Sequence, residues 1–548
     1  MGNVGAATQI PVRRTRTTEV RGAGWRWRSP GGIALAVVLV AAGIGGFLLR
    51  LWLLGNAPMN SDEATAGLIA HQVLHGHTYA FFWGQGYGGV EPYVLAVAFS
   101  LFGQSPFVLN ATPAFLALVG SVLVWRIGLR VLGAPAAALA GILSWIWSES
   151  TLWNSVRETG LHQMCVTLGL VVLLQAVRID QGMVGRDVGR TTDWVIFGAA
   201  GGLGFWASPE IVYFAVPAVV VVALELRGRS LRQAMFRLAT ALAAAVVGAL
   251  PWIWASVASN SAGVPPSPMS YTSRLTTFFT HVLPMLLGLR VEGAGVWEGG
   301  RNLGLVVYLA LLVFLVTSAV LLAARVPDAR ILVLAVVLFP FIYAAFPTSW
   351  FWNDGRYALA LTSLLALMFA GGLWEILRPQ VAAWVACGLL GAAMVSTVVA
   401  FNDGYGAVGH AGELTAFTSN PNPAVTTLAD RLSHLGVTRA YAGYWVANDL
   451  TLISDNRVTA LALGERRNPP GSSNSGSAEV AWIFVPAASE AALAAQLGST
   501  SDLEPGSVSE ASLTKWLTAH GIPYRTVESG GFDVIIPSGN VSPARVGG

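Results

Sequence analysis

Apolar runs long enough to cross a bilayer recur along residues 31–401. A helix needs about 20 residues to cross a hydrocarbon layer ~30 Å thick, and only segments that satisfy their own backbone hydrogen bonds survive there. The candidate spans are 31–54, 106–128, 134–150, 160–178, 194–207, 209–226, 236–258, 302–325, 331–347, 357–377 and 381–401. Composition agrees. Of 548 residues 54% are hydrophobic and 11% charged, where a soluble domain carries about 25% charged residues. The sequence therefore predicts an α-helical polytopic membrane protein with the lipid bilayer as its first partner. A net charge of +3 gives no reason to expect nucleic acid. Cys165 and Cys387 both lie inside apolar runs, which suits small core residues better than a disulfide or a metal pair.

Residues 91–103, "EPYVLAVAFSLFG", are apolar but too short to span, and the distribution of arginine decides their place. If this segment lies on the outer surface, Arg126, Arg130, Arg178, Arg186, Arg190, Arg227, Arg229, Arg232, Arg237, Arg325, Arg330 and Arg378 are cytoplasmic. With the six arginines of residues 1–30 that makes 18 inside, against six outside before the C-terminal region: Arg50, Arg157, Arg274, Arg290, Arg301 and Arg356. If the segment spans, the later loops invert and the count becomes 11 inside and 13 outside. The first arrangement obeys the positive-inside rule. It gives about 11 spans with 91–103 as an interfacial helix. Residues 1–30 are expected to be a disordered basic cytoplasmic tail before an uncleaved first helix, because no small-residue cleavage site stands out before Asp62.

From about residue 402 the composition changes. "LADRLSHLGV", "SEAALAAQL" and "EASLTKWLTAHG" read as helices. "TRAYAGY" and "AEVAWIFVP" read as strands, and "YRTVESGGFDVIIPS" as a closing strand pair. Residues 402–548 are thus expected to be a small extracytoplasmic α/β domain, accessory to a membrane domain over 31–401. It holds no P-loop, dinucleotide fingerprint or nucleophile elbow.

The chemistry-bearing stretch is "NSDEATAGLIAHQVLHGHTYAFFWGQGYGGVEPYVL", residues 60–95, within the outer loop 55–105. Asp62 and Glu63 suit a helix N-terminus, where early carboxylates favour the dipole. That reading leaves Glu91 and the glycine-rich aromatic loop unexplained. Carboxylates at the mouth of an extracytoplasmic cleft are candidates for function, with Asp62 as a general base. No nucleotide pool exists outside a cell, so a group-transfer enzyme there needs a donor delivered by lipid. Arginine suits the leaving phosphate, and aromatic faces suit a sugar. Arg356 with Tyr357, Arg157 and Arg301 are the cationic candidates because they sit outside against the charge rule; Trp83 and Tyr87 are the candidate pocket aromatics. A surface ion pair with Asp354 or an interfacial belt would explain these residues equally. His71 and His75, four apart, suit a solvated helix face more than a metal site, and a divalent cation near Asp62 is an open option. A transporter or flippase of lipid-linked sugars is the rival, but it should place its carboxylates near the midplane; Glu210, near a span end, fits that best.

"NSDEATAGLIAHQVLHGH", "GGVEPYVLAVAFSLFG" and "VLNATPAFLALVGSVLVWRIGLRVLG" together resemble the start of GT-C membrane glycosyltransferases, in the branch similar to protein O-mannosyltransferases and lipid A aminoarabinose transferases. There an Asp-Glu pair opens the first outer loop, here Asp62 and Glu63. A second acid before proline starts an interfacial helix, here Glu91 before Pro92. "GRYALALTSLLALMFAGGL" resembles that family's Arg-Tyr helix near the lipid phosphate. A proline common a few residues later is missing. An aspartate common near "SVRETGLHQ" is absent too, with Glu158 and His162 nearby. The resemblance implies inverting transfer from a polyprenyl-phosphate sugar to a glycan, lipid or protein hydroxyl on the outer face. A cysteine placed at Gly76 in this loop should be labelled by an impermeant maleimide in intact cells. Labelling only after permeabilisation would put this loop in the cytoplasm and remove its donor.

Overall fold

The computed structural model describes residues 27–183, 188–227, 229–258, 267–293, 295–407, 422–463, 468, 479–490, 493 and 505–546. Most of the expected tail, and most of "SEAALAAQL", lie outside the described residues. The chain begins with α1 (Pro30–Asn56), α2 (Ser61–Leu74), α3 (Glu91–Phe102), α4 (Pro106–Val131), α5 (Ala134–Ile146), α6 (Glu149–Asn154), α7 (His162–Gly182) and α8 (Thr191–Ala207). Then come α9 (Val212–Glu225), α10 (Leu231–Ala258), α11 (Tyr271–Thr277), α12 (Leu283–Leu286), α13 (Arg301–Arg325), α14 (Arg330–Ala345), α15 (Leu359–Ile376) and α16 (Pro379–Ala407).

Every expected span coincides with a helix. By length and composition, eight helices among the described residues can cross a membrane. Three of the expected spans, at α5, α8 and α9, fall on shorter helices of 13, 17 and 14 residues. The chain is a multi-pass membrane protein with large apolar side chains turned outward, such as Val247, Val257, Leu305 and Val306. Residues 91–102 do form a separate short helix. It starts on Glu91-Pro92, ends at Gly103 with φ 83°, buries Leu95, Ala96 and Phe99, and leaves Val97, Leu101 and Phe102 exposed. Such a one-sided apolar face suits a membrane surface.

Tight interhelical contact positions the site. Gly198 and Gly202 of α8 lie directly against Ala241 and Ala245 of α10, where any Cβ would overlap backbone. Small residues four apart let two helices approach this closely. The same pair holds the glycine-rich loop. Trp206 Nε1 donates to the Ala80 carbonyl at 2.6 Å, and Trp252 Nε1 to the Gly86 carbonyl at 2.9 Å. Gly88, at φ 85°, and Gly89, pressed on Ala80, fit that crowding because they lack a side chain.

The C-terminal part is an α/β domain, built from α17 (Pro423–His434), β1 (Arg439–Ala442), α18 (Tyr444–Ile453), β2 (Thr459–Ala462), β3 (Ala481–Phe484), α19 (Glu510–Ala519), β4 (Tyr524–Ser529) and β5 (Phe532–Pro537), with a last short helix α20 (Pro543–Val546). The sheet order is β2-β1-β3-β5-β4. The first three strands run parallel, and β5 joins antiparallel to β3 and β4. The β4–β5 turn is Gly530-Gly531, with φ 63° and 83°. Apolar clusters cover both faces. Ile483 and Val534 pack with α17 and α18, while Trp482 and Ile535 pack with Leu513 and Leu517 of α19. Two elements differ from the sequence expectation. The strand read over "TRAYAGY" stops at Ala442, so Tyr444 begins α18 instead of ending a strand, and β2 was not expected.

Candidate functional site

Asn60 caps α2. Its side-chain oxygen accepts from the backbone N–H groups of Asp62 at 3.1 Å and Glu63 at 3.2 Å. That bond fixes both carboxylates in the first turn. They then point to different partners. Asp62 Oδ2 accepts from Arg356 Nη1 at 3.1 Å, and Oδ1 from the Tyr444 hydroxyl at 2.6 Å. Arg356 also meets Asp354 Oδ2, at 2.8 Å from its Nε, and lies 5.1 Å from the Tyr357 ring centre. Asp62 is buried while Arg356 is partly exposed, so the cation lies toward the surface with the carboxylate behind it.

Glu63 is fully buried. Its Oε1 accepts from Arg157 Nε at 2.5 Å and its Oε2 from Asn110 Nδ2 at 2.9 Å. Burial pushes its carboxyl up, while Arg157 and Asn110 pull it down. Arg157 is therefore committed to Glu63, with Trp153 against its other side at 4.8 Å. Removing that partner would strand a buried charge.

Glu91 is brought toward this network but not to Asp62. It faces Glu158, which the sequence left as a neighbour; both are buried. Asn110 ties the two layers: its amide donates to Glu63, and its oxygen accepts from the Glu158 N–H at 3.1 Å. Burial pushes Glu91 up to about 7, and burial together with Glu91 pushes Glu158 up. Two carboxyls facing each other in apolar surroundings hold together by sharing a proton.

A second acidic cluster, which the sequence reading missed, supports Arg356 from below. Glu292 Oε1 accepts from the Gly355 N–H at 2.9 Å, both its oxygens accept from Asn154, and Glu149 accepts from the Glu292 N–H at 3.4 Å. Burial pushes Glu292 up to about 7. A Cβ at Gly355 would overlap Ser150 and Glu292, which is why glycine precedes Arg356. "VEGAGVWEGG" showed two glutamates, but nothing in it linked Glu292 to the Arg356 turn.

The remaining candidates divide. Tyr357 is part of the site: its hydroxyl accepts from Arg356 Nη2 at 3.4 Å, and its ring meets His162 edge-on at 5.1 Å. Glu210 accepts from His162 Nδ1 at 3.0 Å, so the acid that best suited a transporter borders this same site. Tyr87 is half-buried in the loop held by Trp206 and Trp252, and Trp83 is buried in the core behind α2, edge-on to Tyr79 at 6.0 Å. Arg301 starts α13 as an exposed residue, and no contact among the described residues joins it to Asp62. His71 is hydrogen-bonded to Gln104. No group of three or more His, Cys, Asp or Glu among the described residues is arranged to hold a metal ion, and Asp62 bonds to Arg356 and Tyr444.

The pH dependence follows from Glu91 and Glu292. The unfolded chain releases these protons near 4.5 and the folded chain near 7. Between those values the folded state binds more protons, so stability falls as pH rises through the window and levels off above it. The unfolding temperature in detergent should drop from about pH 5 to about pH 7. Glu91→Gln and Glu292→Gln should each flatten that slope, and an unchanged slope in both would contradict the protonated assignment.

Residues 90–254 match the family described as dolichyl-phosphate-mannose-protein mannosyltransferase. A comparison with curated proteins found no match. Among solved structures, ArnT from Cupriavidus metallidurans in its apo state is 15% identical with a TM-score of 0.56, covering 91% of this chain and 98% of ArnT. The same protein bound to undecaprenyl phosphate is 14% identical with a TM-score of 0.57, covering 93% and 98%. The Archaeoglobus fulgidus oligosaccharyltransferase, at 13% identity and a TM-score of 0.45 over 79% of this chain and 62% of its own, is too distant to carry an argument. The chain thus has an ArnT-like fold along nearly its whole length, with a match to the mannosyltransferase family over residues 90–254.

Proposed function

We propose that the chain moves a sugar from a polyprenyl-phosphate donor to a hydroxyl acceptor on the outer face of the cytoplasmic membrane, with inversion at the anomeric carbon. The observation that carries this reading is a partly exposed guanidinium, Arg356, bonded to the buried carboxylate behind it, Asp62. A lipid phosphate arriving there offers Arg356 two or three charged oxygens in place of one carboxylate oxygen, and the planar fork suits such an anion. Arg356 then turns to the donor phosphate. Asp62 loses its cation and gains the basicity to take the acceptor proton. The acceptor oxygen bonds to the anomeric carbon from the face opposite the phosphate. The carbon–oxygen bond to phosphate breaks, and polyprenyl phosphate leaves with the electron pair beside Arg356.

Glu63 is a poor base in this arrangement, because Arg157 and Asn110 occupy both its oxygens. It acts with Arg157 to fix the first turn of α2. Glu91 and Glu158 form a protonated pair behind that layer and contribute shape more than charge. Tyr87 is the aromatic candidate for the sugar face; buried Trp83 supports α2. The acceptor is a hydroxyl of a glycan, lipid or protein.

Membranes containing the wild-type chain, supplied with radiolabelled polyprenyl-phosphate sugars, should label a product. Asp62→Asn should lower transfer at least ~100-fold, the lower end for loss of a general base, with membrane insertion intact. Arg356→Gln should chiefly raise the KM for the donor. Full activity of Asp62→Asn would overturn the base assignment.

A further inference from the structure

The sequence reading treated the C-terminal domain as accessory, yet one of its side chains touches the proposed base. We propose that Tyr444 is a positioning residue of the transfer site: its hydroxyl donates to Asp62 Oδ1 and keeps that carboxylate ionised and aimed while Arg356 serves the donor phosphate. This deepens the transferase reading and rests on Asp62 being its base.

Two hydrogen bonds hold α18 in register on α2. Ser61 Oγ donates to the Tyr444 carbonyl at 2.5 Å, and Asn448 Nδ2 donates to Thr65 Oγ1 at 2.7 Å. Just before the two helices α17 and α2, Asn422 brackets Met59, accepting from its N–H at 2.9 Å and donating to its carbonyl at 2.8 Å. Leu452 covers Gly67 further along the helix. The first ten residues of α2 are consequently buried, and the Tyr444 hydroxyl is set 2.6 Å from Asp62. A tyrosine carried on a separate domain and matched to a neighbouring helix at this many points is placed for more than filling space.

The chemistry explains its use. A hydroxyl donating to a carboxylate favours the ionised form. In the free protein Arg356 does the same from the other oxygen. Once Arg356 turns to phosphate, only Tyr444 of this pair remains on Asp62. The groups facing Asp62 are Glu63 on its own helix, paired with Arg157; Arg356, Asp354 and Tyr357 in the turn before α15; and Tyr444 and Asp449 on α18. Burial pushes Asp449 well above its usual range, so it adds little negative charge at neutral pH. Without the Tyr444 bond, Asp62 beside Glu63 would take up a proton at higher pH and be spent as a base.

Tyr444→Phe keeps the ring and removes the donor. Infrared titration of the full-length chain in nanodiscs reads the Asp62 proton directly, as the carboxylic C=O band that Asp62→Asn deletes. The midpoint of that band should rise by about one pH unit in Tyr444→Phe. The acid limb of kcat for transfer from a polyprenyl-phosphate sugar should rise equally, with the donor KM within about twofold. Asn448→Ala loosens the same interface without touching Asp62 and should leave the midpoint at its wild-type value. An unmoved midpoint in Tyr444→Phe, or an equal shift in Asn448→Ala, would overturn the assignment. A shifted midpoint in a chain that transfers no labelled sugar would support Tyr444 as the Asp62 donor and count against the transferase reading.

Discussion

The ion pair between Asp62 and Arg356 joins two parts of the chain 294 positions apart, and the site is organised around keeping it. Taking two charges out of water is expensive, and such a pair survives only where its geometry is good and its other bonding positions are filled. Here its geometry is supported on both sides. Tyr444 takes the second oxygen of Asp62, the Asp354 carboxylate lies beside the Arg356 Nε as an ion pair, and the Glu292 carboxyl grips the N–H of Gly355. The Asn60 cap fixes one partner's turn, and the missing side chain of Gly355 lets the other's approach. In the proposed function, a pair held this firmly, with Arg356 partly exposed, exchanges its carboxylate for a lipid phosphate without rebuilding its surroundings.

Behind the pair, acidic residues are sorted by charge. Glu63 is paired with Arg157 and hydrogen-bonded by Asn110. Glu91 and Glu158 share their burial, and Glu292 is pushed up beneath the Arg356 turn. Environments that drive neighbouring carboxyls apart in proton affinity separate candidate bases from structural acids, and the proposed function assigns the base to Asp62.

Much of this was legible in the residues. Long apolar runs give spans because backbone in hydrocarbon has no other way to satisfy itself. The short helix at 91–102 was legible because its length cannot cross a bilayer and Pro92 suits a helix start. Arg356 stood out because it breaks the charge rule, and Asp62 because a carboxylate at the surface of an outer cleft is a candidate for function. What stayed hidden depends on contacts distant in sequence. Glu158 pairs with Glu91, and Glu292 with the Gly355 turn, through tertiary packing that leaves no local pattern. Tyr444 was hidden differently: "AYAGYW" alternates like a strand, and only Gly443, extended at φ −65° and ψ 160°, turns the chain into a helix there. Trp83 was a candidate pocket aromatic because it lies in a glycine-rich aromatic outer loop, but it packs inward behind α2.

Competition for Arg356 is the central claim, and lipid binding measures it without any transfer. Purified wild type, Asp62→Asn and Arg356→Gln in detergent can be titrated with undecaprenyl phosphate by native mass spectrometry. The account predicts that Arg356→Gln binds at least ~10-fold more weakly, as loss of a charge-assisted contact implies, whereas Asp62→Asn, freed of its rival carboxylate, binds at least as tightly as wild type. Equal weakening in both variants would show that Asp62 and phosphate do not compete for the same guanidinium, and would contradict the account.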